Sequence, residues 1–174
     1  MSVKWNEDLN ISVSDATNAY DLLTDVIEQI VGDPRRFQMD IWGERGNLFT
    51  YYNKNHYNAP RCGTAACVAG WVVFLREPAA DRLMNGNQAC DILIGEEPLL
   101  QFDETADGFT TESKEALDRY RHIRLDLNQM FYSVPHDENA VCIPEGTQAH
   151  VDYMVPKIRQ FQERYADLLK ARTF

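Results

Sequence analysis

From Cys67 to Leu75 the chain reads Cys-Val-Ala-Gly-Trp-Val-Val-Phe-Leu, a stretch without a charged residue. A helix that is apolar on every side has to be surrounded on every side, so this segment belongs at the centre of whatever fold forms. Gly63 or Thr64 opens the helix in this reading, which places it at about residues 64–75. The stretch is far shorter than the ~20 apolar residues that span a bilayer. The expectation is therefore a mainly α protein: a compact single-domain helical bundle, residues 1–174, packed around that central helix.

The remaining periodicity supplies the partners. Ala19, Leu22, Leu23, Val26, Ile27, Ile30 and Val31 recur at three- and four-residue spacing, which predicts a helix from about Asp15 to Val31 with Ser14 as its N-cap. Gly32-Asp33-Pro34 stops it, and Phe37, Met39, Ile41 and Trp42 follow in a turn that packs against it. A brief helix spans Asn87 to Ile94 and ends at Gly95. Thr110-Thr111 caps a longer one that reaches Tyr132, with Leu117, Tyr120, Ile123, Leu127, Met130 and Phe131 on its inner face. Thr147 caps the last, whose inner stripe is Val151, Met154, Val155, Ile158, Phe161, Tyr165, Leu168 and Leu169, with Pro156 expected to kink it. A minor two-stranded β element is expected from Phe49–Tyr52 pairing with Ala140–Ile143.

Charge narrows the function classes. The net charge of −10 argues against nucleic acid and against anionic membrane surfaces, both of which require a cationic face. The acidic residues are unevenly placed: from Leu83 to Ser113 there is no Lys or Arg, yet seven carboxylates lie there. That segment reads as solvated loop and helix-start charge, or as a face for a basic partner or a cation. Four cysteines, Cys62, Cys67, Cys90 and Cys142, in a chain that starts without an apolar leader read as free thiols in a cytoplasmic protein.

The segments Arg36-Phe37-Gln38-Met39-Asp40-Ile41-Trp42 and Cys62-Gly63-Thr64-Ala65-Ala66-Cys67-Val68-Ala69-Gly70-Trp71, with the small helix ending in Gly95, resemble a family of small uncharacterised bacterial and phage proteins. The resemblance covers about residues 20–100 and the C-terminal helix. It implies a helical fold and a phage or mobile-element context, and brings no activity, cofactor or catalytic residue with it. A longer Tyr/Asn-rich insert before Cys62 and a longer acidic loop after Gly95 depart from that pattern.

Three readings of Cys62 to Cys67 stand side by side. In the first, glycine, alanine and buried thiols simply let a helix pack closely. In the second, Cys67 or Cys62 is a nucleophile activated by the helix N-terminus, with His150 as its base and Asp152 behind it, or His136 with Asp137. His150 and Asp152, two apart on a helix, point in different directions. In the third, Arg61, Cys62, Gly63 and Thr64 form an anion site at a helix start, walled by Tyr51, Tyr52, His56 and Tyr57.

Metal binding is not expected. The cysteine spacing lacks a second Cys/His pair, and Asp103 to Gly108 resembles a calcium loop only until Lys114 stands where a glutamate is needed. The leading expectation is a non-enzymatic binding protein without a cofactor, phage or mobile-element encoded, which captures a small anionic, nucleotide-like ligand or inhibits a host protein. The alternatives are a cysteine-dependent hydrolase or transferase, and a structural module that forms a homo-oligomer through its long helices.

Overall fold

The computed structural model describes residues 4–6, 11–37, 67–77, 86–103, 108–131, 139, 142–144 and 146–174. In chain order these form β1 (Lys4–Asn6), β2 (Ile11–Val13), α1 (Ala19–Gly32), a 3-10 turn (Pro34–Arg36), α2 (Val68–Arg76), α3 (Gly86–Ile94), β3 (Phe102–Asp103), β4 (Gly108–Phe109), α4 (Thr111–Phe131), α5 (Gln148–Arg164) and α6 (Ala166–Ala171). The protein is mainly α, as the helical periodicity predicts, with small two-stranded antiparallel elements formed by other segments than the pair expected.

The apolar segment is central. Helix α2 touches α1, α3, α4 and strand β2, and Val68 through Leu75 are all buried. Its start differs from the expected one. Cys67 has extended backbone (φ −70°, ψ 177°) and is the N-cap, so the helix opens at Val68 and not at Gly63 or Thr64. The thiol itself caps: Sγ accepts from the Gly70 amide at 3.4 Å, and Trp71 N–H donates to the Cys67 carbonyl at 2.9 Å. The usual capping residues are Ser, Thr, Asp and Asn. Here the cap is 2% exposed, where sulfur packs as a small apolar group and its weak acceptor strength suffices.

Helix α1 lies across α2 and also meets α5 and α6. Ala19, Leu22, Leu23, Val26, Ile27 and Ile30 are buried as the spacing predicts, but Val31 is half exposed. Its cap is Asn18, not Ser14: Asn18 Oδ1 accepts from Asp21 N–H at 2.9 Å. Ser14 does other work. Its hydroxyl donates to the buried carboxylate of Asp25, and its amide donates to the Leu75 carbonyl at 3.1 Å, tying the approach to α1 onto the end of α2. Burial raises the Asp25 pKa, partly offset by the Ser14 hydrogen bond.

Helix α3 ends at Gly95, whose φ of +84° favours a residue without Cβ. Arg172 completes that end, donating from Nη2 to the Asp91 carbonyl at 2.9 Å and from Nε to the Ile92 carbonyl at 3.3 Å. The Arg172 carbonyl in turn accepts from Ala19 N–H, and residues 172–174 run beside 17–19. Helix α4 is capped by Thr110, and all six residues assigned to its inner face are buried. Helix α5 is capped by Thr147, whose Oγ1 accepts from His150 N–H at 3.3 Å. Pro156 stands inside α5, yet the helix runs on to Arg164 and the interruption falls at Tyr165.

The strands are β1 with β2, registered Lys4 to Val13, and β3 with β4, registered Phe102 to Phe109. The pairing expected between 49–52 and 140–143 lies largely outside the described residues, as do Met39, Ile41 and Trp42. No described helix is long and apolar enough to cross a membrane.

Candidate functional site

Of the residues proposed from sequence, Cys67, His150 and Asp152 are described. Arg61, Cys62, Gly63, Thr64, Tyr51, Tyr52, His56 and Tyr57 lie outside the described residues, and so do His136 and Asp137.

Around the start of α2 the structure gathers a group that the sequence only hinted at. Arg36 ends the 3-10 turn, its guanidinium carbon 4.4 Å from the centre of the Trp71 ring, while Trp71 Nε1–H donates to the Arg36 carbonyl at 3.1 Å. The next residue, Phe37, is fully buried and stacks on His150 with ring centroids 4.4 Å apart. The Phe37 carbonyl accepts from Gly146 N–H at 3.0 Å, and Gly146, at φ +67°, turns the chain into the α5 cap. The turn after α1, the α2 core and the start of α5 are thus locked together.

His150 is an interior residue of that lock. It is 0% exposed, and neither ring nitrogen has a hydrogen-bond partner among the described residues. Burial lowers its pKa to about 4, and its place in the first turn of α5 also disfavours an imidazolium. With both ring nitrogens unpartnered, no Cys67–His150 hydrogen bond is formed, and Asp152 is instead the acceptor for Gln148 Nε2 at 2.8 Å. Among the described residues the structure does not assemble a Cys–His–Asp arrangement, nor a cluster of three or more metal-ligating side chains.

The second described thiol in the core, Cys90 on α3, is fully buried. Burial pushes its pKa up to about 11, with Arg124 acting in the opposite sense. Cys142 is exposed. Thiolate chemistry needs a lowered pKa and access, and Cys90 has neither.

Two grooves open on the helical surface. One, of about 250 Å³, lies between α4 and α5 over Met130 and Phe161. Asp126 on its wall accepts from Tyr165 Oη at 2.7 Å and Arg164 Nη1 at 2.8 Å, and these two hydrogen bonds lower its pKa. The other, of about 410 Å³, is bounded by Arg76, Glu77, Gln88, Asp91, Glu96, Arg172 and Phe174. Its cations are engaged, Arg172 on the carbonyls of α3 and Arg76 over the Phe174 ring at 4.3 Å. The first groove sets Lys157 and Arg164 beside Asp126, with Arg164 already on that carboxylate, and the second sets its two arginines among Glu77, Asp91 and Glu96.

The β3–β4 hairpin is the other feature that sequence reasoning passed over. Phe102 and Phe109 face each other across it, edge to face at 5.8 Å, and both are exposed. The signal was present: two aromatics bracket Asp103 to Gly108, a turn-forming run.

No family model, no curated protein and no solved structure matches the chain.

Proposed function

We propose that the chain is a non-enzymatic binding protein that acts in the cytoplasm by capturing a small anionic, nucleotide-like ligand or by inhibiting a host protein. The observation that carries this reading is the role of Cys67. Its thiol caps its own helix inside the core, a structural use of one of the two candidate nucleophiles, while Cys62 lies outside the described residues. The interior position of His150, stacked on Phe37, supports the same reading.

Of the two targets, a protein is favoured by the exposed apolar side chains on described residues, whereas the grooves offer little to a small anion. The phage or mobile-element origin rests on the resemblance carried by Arg36–Trp42, Cys62–Trp71 and the small helix ending in Gly95. A thermal-shift screen with nucleotides, cyclic dinucleotides included, is paired with affinity capture from a bacterial lysate. Stabilisation by a ligand or a stoichiometric retained protein is the expected result, and a blank in both overturns the proposal.

A further inference from the structure

Among the described residues, seven large hydrophobic side chains are exposed, and four of them fall between residues 99 and 109: Leu99 (86% exposed), Leu100, Phe102 (57%) and Phe109. Contiguous exposed apolar side chains on an otherwise polar surface mark interaction sites. Among the described elements, the hairpin that carries the two phenylalanines has its main contact between its own two strands, where the rings meet edge to face. A two-stranded hairpin on its own is marginal in water, and a partner laid on its apolar face removes that exposure.

The charge around the patch selects the partner. Glu96 and Glu97 precede it, Asp103 lies within it, Glu112 follows it, and no Lys or Arg occurs from Leu83 to Ser113. Arg121 and Arg124 of α4 reach across to Glu97 at 3.6 and 3.8 Å, which anchors the base of the segment and leaves its sum negative. A second copy of this chain, at −10, would set like charge against like charge. Anionic lipid and nucleic acid are disfavoured for the same reason.

We propose that the β3–β4 hairpin, with Leu99 and Leu100 leading into it, is the docking surface for a basic protein segment that presents apolar side chains between lysines or arginines. This rests on the reading of the chain as a binding protein and names both its surface and the chemistry of its partner. The apolar residues supply the contact area, and the carboxylates around them supply orientation and association rate.

Fluorescence anisotropy with three labelled synthetic peptides tests it: Lys alternating with Leu and Phe, Lys alternating with Ser, and Glu alternating with Leu and Phe. The full chain should bind the first, more weakly as salt rises, and should bind the second and third at least about tenfold less well. The double variant Phe102→Ser/Phe109→Ser should lose at least about tenfold in affinity for the first peptide, whereas Leu125→Ser, an exposed leucine on α4, should bind as the parent does. Circular dichroism should show unchanged helix content in all of them. If the double variant loses helix, Leu99→Ser takes its place, since that side chain is almost entirely in solvent. Equal binding by the hairpin variants, equal binding of the Lys/Ser peptide, or no binding of any peptide overturns the proposal. A ligand found in the nucleotide screen while every peptide fails would leave the binding reading standing and remove the hairpin from it.

Discussion

At the residue scale, Cys67 and His150 show how one side chain type serves opposite roles according to where the backbone puts it. A cysteine at a helix N-terminus is the setting for a reactive thiolate, but Cys67 is in the core and its sulfur is taken by the Gly70 amide. Cys67→Ala should lower unfolding free energy by about 1 kcal/mol through loss of the cap, whereas Cys67→Ser, which keeps an acceptor, should fall closer to the parent in chemical denaturation. His150 makes stability depend on pH. Its folded pKa of about 4 lies below the ordinary histidine value of 6.5, so the unfolded chain takes up the proton first on acidification. The contribution is fully present above pH 6.5 and is lost as pH falls through the window down to 4, reaching about 2 kcal/mol by pH 5. Urea titrations at pH 7 and pH 5 should show that loss, and His150→Phe should flatten it. Asp25, with its raised pKa, works in the opposite sense, favouring the folded state as pH falls.

At the element scale, what was legible in the sequence was what depends on period. The inner face of α4 was readable in full because each of its residues meets the core by helical spacing alone. The caps at Thr110 and Thr147 and the stop at Gly95 were readable because each is satisfied within a few residues of chain. Ser14 was misread for the complementary reason: its hydroxyl goes to Asp25, eleven residues on, and a nearer residue, Asn18, takes the amide of the first turn. The start of α2 was misplaced because Gly63 and Thr64 look like a helix start, while an extended Cys67 is decided by packing around its sulfur. The short strands carry too few residues for alternation to register. Gly95 gives a direct test. A Cβ there would meet only Arg172, no closer than 3.8 Å, so space is no obstacle and the backbone is. Gly95→Ala should lower the denaturation midpoint by an amount equivalent to about 1–2 kcal/mol, and Gly95→Asn by less.

At the scale of the whole molecule, a continuous core built from all six described helices encloses Cys67, Cys90 and His150, and the described surface carries an apolar hairpin on an acidic chain. The candidate site was therefore legible only in part. Its sharpest motif turned out, at Cys67, to be interior, while the hairpin's aromatics were hidden in a loop whose charge drew attention first. The central claim is that Cys67 is architecture and that the proposed binding function lies on the surface. Iodoacetamide labelling of the native protein at neutral pH, followed by peptide mapping of each cysteine, tests it most directly. Labelling of exposed Cys142 within the time course, with Cys67 and Cys90 silent until denaturant is added, is the predicted result. Fast labelling of Cys67 in the folded protein, ahead of Cys142, would contradict it.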